Sequence, residues 1–212
     1  NKAYLKYINS NKVDDTNNIL KDFKKRYLDY RKNWHEQPSK IYNMGYDNFL
    51  KIKKNVLPLC VDIEIAAICD LACPHCFREY ILTPDKIIKD DFFFSIIDQI
   101  KELKIPSIKL NWRGEPLLHP QISKFISYAK SSGILDVAIN TNATNLTKKK
   151  SEELINSGLD QIIYSFDGGT KKTYEKMRPG RFKNNKFEEV YENIKNFKLI
   201  RDKLKSKFPV TK

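Results

Sequence analysis

The chain has 212 residues, 41% of them hydrophobic and 31% charged, with a formal net charge of +13 at pH 7. That is enough chain for one substantial core and an appendage, and no run approaches the ~20 consecutive apolar residues of a membrane-spanning helix. Four cysteines, with no targeting segment read at the start, give a disulfide framework little support and lead to the expectation of a reducing, cytoplasmic setting. The lysine-rich charge is spread along the chain as a solvated surface, without a recognised nucleic-acid motif.

Residues 1–56 are polar, with aromatics interleaved among lysines. Ile19, Leu20, Phe23, Tyr27, Leu28 and Tyr30 fall partly at helical spacing, which predicts an amphipathic helix docked on a larger body. His35, Pro38 and Pro58 punctuate the passage to the core, which occupies residues 57–212. There the texture changes to alternating strands and helices. The run 61–68 alternates, placing Val61, Ile63 and Ile65 toward covering helices and Cys60, Asp62, Glu64 and Ala66 toward a lumen, with Cys60 as a small buried filler.

After a cysteine-bearing loop, Asp90 or Asp91 is expected to cap a helix carrying Phe92, Phe93, Ile96, Ile97, Ile100 and Leu103. A strand over 107–112 follows. His119-Pro120 then opens a helix with Ile122, Phe125, Ile126 and Ala129 inward and Gly133 at its end, His119 serving as a cap rather than a ligand. A third strand covers 135–140, Thr147 and Gly158 bracket a third helix, and a fourth strand covers 161–166. A short helix spans 170–176. A longer one carries Phe187, Val190, Tyr191, Ile194, Phe197 and Ile200 at three- and four-residue steps. Trp112 and Tyr164 are read as core. Four strands, each followed by helix, predict a parallel α/β sheet of barrel type, with a fifth strand due to begin near Pro209.

The sequence 69–77 reads Cys-Asp-Leu-Ala-Cys-Pro-His-Cys-Phe. Cys69, Cys73 and Cys76 on so short a loop can converge on one metal centre, with no fourth cysteine beside them. Short cysteine runs hold iron–sulfur clusters. A structural zinc ion wants four ligands and would have to recruit His75, Cys60 or a distant histidine. Unusual polar residues also sit where the predicted strands end: Asn111-Trp-Arg-Gly-Glu-Pro116, Asn140-Thr-Asn-Ala143 and Ser165-Phe-Asp-Gly-Gly169. Ligands of parallel α/β folds bind at those carboxyl ends.

Cys-x3-Cys-x2-Cys resembles the signature of the radical S-adenosylmethionine enzymes, and Arg113-Gly-Glu-Pro116 resembles that family's Gly-Gly-Glu-Pro motif, with Arg in place of the first glycine. The resemblance covers residues 57–212 and implies the first four units of a partial (β/α)6 barrel, so the sequence reads as a truncated portion of that fold with an N-terminal helical extension. It implies a 4Fe–4S cluster on Cys69, Cys73 and Cys76 whose fourth iron chelates S-adenosylmethionine. Reductive cleavage would give a 5′-deoxyadenosyl radical that abstracts hydrogen from a peptide, protein or small-molecule substrate. It further implies an electron donor such as flavodoxin or ferredoxin.

The implied cofactor contacts are Glu115 and the backbone around Gly114 with the ammonium group, Ser165 with the ribose hydroxyls, and Asn142 lining the same cavity. Arg178 would neutralise the carboxylate, and His75 would stand beside the adenine, where the family usually has an aromatic residue. Each also has a plain structural reading: a helix turn for Glu115, a loop cap for Asn142, a surface charge for Arg178. The pattern is most like members carrying a C-terminal SPASM-type cluster domain, no part of which is expected within residues 1–212. A zinc-stabilised basic RNA-binding module and an inactive scaffold are the alternatives from other classes.

Overall fold

The computed structural model describes residues 16–81 and 84–212. Residues 1–15 of the predicted extension, and the side chains of Ile19 and Leu20, lie outside the described residues. The extension begins as α1 (Thr16–Met44), and Gly45, at φ 79, separates it from α2 (Tyr46–Ile52). The core follows as β1 (Cys60–Asp62), α3 (Asp90–Glu102), β2 (Ser107–Lys109), α4 (Ile122–Ser131) and β3 (Asp136–Thr141). It continues with α5 (Lys148–Ser157), β4 (Gln161–Tyr164), α6 (Lys171–Met177), α7 (Phe187–Lys203) and β5 (Val210–Thr211). The strands lie in the order β1-β2-β3-β4-β5, all parallel. This is the open, right-handed α/β sheet of a partial barrel.

Register assigns the two faces. Val61 pairs with Ile108 and Ile108 with Val137, while Ile139 pairs with Ile162. That row turns its β-branched side chains toward the helices, where it meets Phe93, Ile97, Phe125, Ile126, Leu154 and Phe197 in one core. The intervening row, Asp62, Lys109, Ala138 and Gln161, looks into the lumen. The expected alternation of the first strand holds beyond β1: Ile63 and Ile65 are buried in the core, and the chain stays extended with Ile63 N–H bonded to Lys109 O at 2.8 Å.

Helix ends explain most element boundaries. Thr147 Oγ1 accepts the Lys150 N–H at 3.2 Å, and Gly158 closes α5 in the left-handed conformation at φ 91. At the end of α4, Gly133 N–H reaches Lys130 O and Ile134 N–H reaches Ala129 O, the paired bonds of a glycine-terminated helix.

Several expectations change. Neither Asp90 nor Asp91 caps α3: Lys89 holds the cap position without a side-chain bond, and both aspartates sit in the first turn, where their charge meets the positive helix end. Pro120 precedes α4 instead of opening it. A short 3-10 turn, Pro116–Leu118, intervenes, and the His119 ring is the connector, its Nδ1 accepting from Gln121 N–H at 3.1 Å and its Nε2 lying 3.1 Å from Ile88 O. Trp112 is 62% exposed because β2 ends at Lys109, three residues short of it, so the alternation no longer carries its ring inward. Tyr164 packs edge-on against Phe197, as expected of core.

Pro38 does not interrupt the N-terminal helix; α1 runs through it. The helix lies across the amino ends of the strands. Tyr30, 5% exposed, donates its hydroxyl to Asp136 Oδ2 at 3.3 Å, and Arg26 Nη2 donates to Gly133 O at 3.3 Å. Tyr27, Tyr30 and Trp34 pack in series and wall a cavity of about 760 Å³ with Cys60, Asp136 and Gln161. Cys60 is therefore half-buried on a cavity wall instead of filling the core.

Candidate metal and cofactor site

At the opposite, carboxyl ends of the strands, the sequence places its loops. The cysteine loop after the first strand is tied down on both flanks. Arg78 Nε donates to Ala67 O at 3.0 Å. On the other side Ala72 N–H bonds to Pro179 O and Arg181 N–H to Asp70 O, and Arg181 pairs with Glu79. Within the loop, Cys76 N–H closes a turn onto Cys73 O at 2.9 Å. Cys73 is buried, and Cys69 and Cys76 are half-buried. Burial, reinforced by the carboxylates of Glu115 and Asp70, pushes the Cys69 thiol up to about 12, and burial raises Cys73 as well. Both sulfurs thus need positive charge beside them to stand as thiolates.

The second strand delivers Arg113-Gly-Glu-Pro116 against the first. The Arg113 and Gly114 N–H groups donate to Glu64 Oε1 at 2.8 and 3.2 Å, and the Arg113 guanidinium lies 3.4 Å from Glu64 Oε2. The arginine that replaces the family's first glycine is thus accommodated by a lumen-facing carboxylate. Gly114 is fixed by contact: a Cβ there would lie 1.8 Å from Ala66 O. Glu115 N–H then bonds to Ile68 O, one residue before Cys69.

Glu115 is 3% exposed, and its carboxylate spans two loops. It accepts the Thr141 hydroxyl at 2.7 Å, Leu117 N–H at 3.0 Å and Asn142 N–H at 2.8 Å. Burial pushes its carboxyl up to about 7 against these three donors. The third strand delivers Asn142, whose side-chain amide reaches Asp70 Oδ1 at 2.8 Å and Cys69 Sγ at 3.9 Å. Asp70 also accepts Thr144 Oγ1 at 2.5 Å and Asn145 Nδ2 at 2.9 Å.

The fourth strand brings Ser165, half-buried, with its N–H on Thr141 O at 2.8 Å. Just beyond, Asp167 pairs with Arg178 and lies 3.2 Å from His75 Nε2. Arg178 Nη1 points at Cys73 Sγ, 3.9 Å away, and its Nε is buried without a protein partner. All nine residues expected of the site therefore lie on this one rim. Asp70 and Glu64 were not singled out by sequence reading, although Asp70 sits inside the cysteine motif and Glu64 on the predicted lumen face.

The donor set, three free cysteines on one short loop, is of the kind that holds an iron–sulfur cluster. Among the described residues no three His, Cys, Asp or Glu side chains gather around a single metal position. A side-chain N–H lies 3.9 Å from each of two of the sulfurs, the kind of contact that tunes such clusters.

A family model described as the radical SAM superfamily matches residues 63–203. The chain belongs to that superfamily. Membership brings a 4Fe–4S cluster and S-adenosylmethionine as cofactors and sets the zinc-module reading aside. The chain is 31% identical over 112 residues to the Probable GTP 3',8-cyclase of Methanothermobacter marburgensis, a match covering 53% of this chain and 36% of that one. It is 31% identical over 108 residues, 50% of this chain and 30% of the other, to the tungsten-containing aldehyde ferredoxin oxidoreductase cofactor-modifying protein of Pyrococcus furiosus. Against solved structures, SuiB of Streptococcus suis bound to S-adenosylmethionine gives a TM-score of 0.57 at 24% identity, over 72% of this chain and 34% of that one. Native anSMEcpe with bound AdoMet gives 0.57 at 19%, over 68% and 42%. These two share the radical SAM fold. The chain spans about a third of the length of the two curated relatives. No helix among the described residues is long and apolar enough to cross a membrane.

Proposed function

We propose that Cys69, Cys73 and Cys76 hold the 4Fe–4S cluster, and that Glu115, Gly114, Asn142, Ser165, Arg178 and His75 surround S-adenosylmethionine beside it. One observation carries this reading: Asn142 is bonded through its backbone to the Glu115 carboxylate and reaches Cys69 with its side chain, so the two motifs meet at a single residue. When bound, the reduced cluster supplies the electron that splits S-adenosylmethionine into methionine and a 5′-deoxyadenosyl radical. The protein's own part is orientation and charge. Gly114 lets backbone carbonyls approach a cationic amine, Glu115 fixes that loop and presents negative charge, and Arg178 offers a buried N–H toward the anionic side. His75, tied to Asp167, places a flat ring at the mouth.

The radical would take hydrogen from a peptide, protein or small molecule. The breadth of the relatives' names supports that range: they include cyclases acting on GTP and, from Bradyrhizobium diazoefficiens, a PqqA peptide cyclase. An electron carrier such as flavodoxin or ferredoxin would supply the reductant. The test is anaerobic reconstitution with iron and sulfide, followed by electron paramagnetic resonance and assay for 5′-deoxyadenosine after dithionite reduction. Uptake of stoichiometric zinc without iron and sulfide, and no 5′-deoxyadenosine, would sink the reading.

A further inference from the structure

Two of the three cysteine sulfurs face a side-chain N–H donor, and each donor is held by an aspartate. Asn142 Nδ2 lies 3.9 Å from Cys69 Sγ and 2.8 Å from Asp70 Oδ1. Arg178 Nη1 lies 3.9 Å from Cys73 Sγ, while its Nη2 pairs with Asp167. Neither donor is free to swing. Asn142 is 4% exposed, with Oδ1 accepting Thr144 N–H at 3.0 Å, and the Arg178 side chain is 11% exposed beneath its own carbonyl's bond to Asn185 Nδ2. The sulfur of Cys76 has no such partner among the described residues.

We propose that Asp70 and Asp167 are positioning residues, which aim Asn142 and Arg178 at the sulfurs of Cys69 and Cys73 and so set the electron affinity of the cluster. The inference rests on the cluster assignment above and adds to it a role for two carboxylates outside the proposed ligand set. Reduction adds one negative charge to the cluster, so an N–H dipole or a guanidinium against a ligand sulfur favours the reduced form. A carboxylate close by disfavours it. Each pair therefore balances an orienting contact against an opposing charge. Arg178 is the stronger lever, being a full charge, and Asp167 offsets it through Oδ2, the same oxygen that lies 3.2 Å from His75 Nε2.

The test is a dithionite titration of the anaerobically reconstituted protein, one electron per cluster, with the reduced fraction read by electron paramagnetic resonance against potential. Arg178→Met is expected to lower the midpoint, reducing the reduced-to-oxidised ratio at fixed potential about tenfold, which is about 59 mV for one electron. Asp167→Asn and Asp70→Asn, which keep side-chain shape, are expected to raise it. The signature is coupling: in an Arg178→Met background, with no guanidinium left to aim, Asp167→Asn is expected to shift the midpoint by a different amount than in wild type, and an identical shift would make Asp167 a bare charge and overturn the positioning role. Unchanged midpoints in all three variants overturn it as well. Should Arg178→Met fail to retain iron, Arg178→Lys, which keeps the charge, and the two asparagine variants still decide it. A wild-type protein that takes up no iron and sulfide would instead refute the cluster assignment itself.

Discussion

The Asn142 backbone N–H donates to Glu115 at 2.8 Å, so the carboxylate after β2 holds the end of β3 in place. With Thr141 Oγ1 and Leu117 N–H on its other oxygen, Glu115 is the knot between two of the loops that surround the cysteines. A carboxylate has about four acceptor positions, three of them used here, which leaves one for a cofactor's ammonium.

Replacing Glu115 by alanine strands three buried donors at once. An unsatisfied buried group costs about 1–3 kcal/mol, so Glu115→Ala is expected to lower stability by about 3 kcal/mol or more, measured by urea unfolding. Glu115→Gln should fall between the two, because its amide can accept at one oxygen but sets an N–H against another N–H at the second. A loss below about 1 kcal/mol for the alanine variant would show that the donors find other partners.

The same carboxylate predicts a pH dependence. Its folded value is raised to about 7 from 4.5, so between those limits the folded protein holds a proton that the unfolded chain has given up. Stability therefore falls as pH rises through about 4.5 to 7 and levels off outside that window. Urea midpoints across the window should slope downward in wild type and lose that part of the slope in Glu115→Gln. An unchanged slope in the variant would assign it to other groups.

Gly114→Ala places a methyl group 1.8 Å from Ala66 O, inside contact distance of backbone that cannot yield cheaply. The Arg113–Glu115 loop must move away from the extended chain at Ala66–Ile68, breaking the Glu115 N–H bond to Ile68 O. Calorimetry on reconstituted protein should show at least tenfold weaker binding of S-adenosylmethionine, equivalent to about 1.4 kcal/mol, with iron content retained because the cysteines lie on another loop. Wild-type affinity in this variant would remove the loop from the cofactor site.

Where side-chain chemistry acts locally, the sequence was sufficient. Thr147, Gly158 and Gly133 end their helices as their types predict, and Ile63 and Ile65 go to the core by alternation alone. The cysteine motif was legible because three cysteines on one loop need no tertiary information. What could not be read is long-range pairing. Nothing near Arg113 says that Glu64, in the extended segment after β1, receives it, and nothing near His75 says that its ring meets Asp167. Trp112 misleads for a related reason: strand pairing stops at Lys109, a limit that the run's own composition does not mark.

The N-terminal helix makes a prediction independent of any cofactor. Tyr30 is the one residue of α1 that is buried among those whose side chains are described, and its hydroxyl meets Asp136 at the amino end of β3. Tyr30→Phe should cost about 1 kcal/mol, since Asp136 keeps Gln161 Nε2 at 2.8 Å. Tyr30→Ala, which removes the ring from beside Tyr27 and Trp34, should cost about 3–5 kcal/mol of docking. Limited proteolysis should then cut within α1 before the core. Because α1 crosses the strand ends opposite the cysteines, iron incorporation by the variant should match wild type; a parallel loss of iron would mean that the helix supports the rim through the sheet.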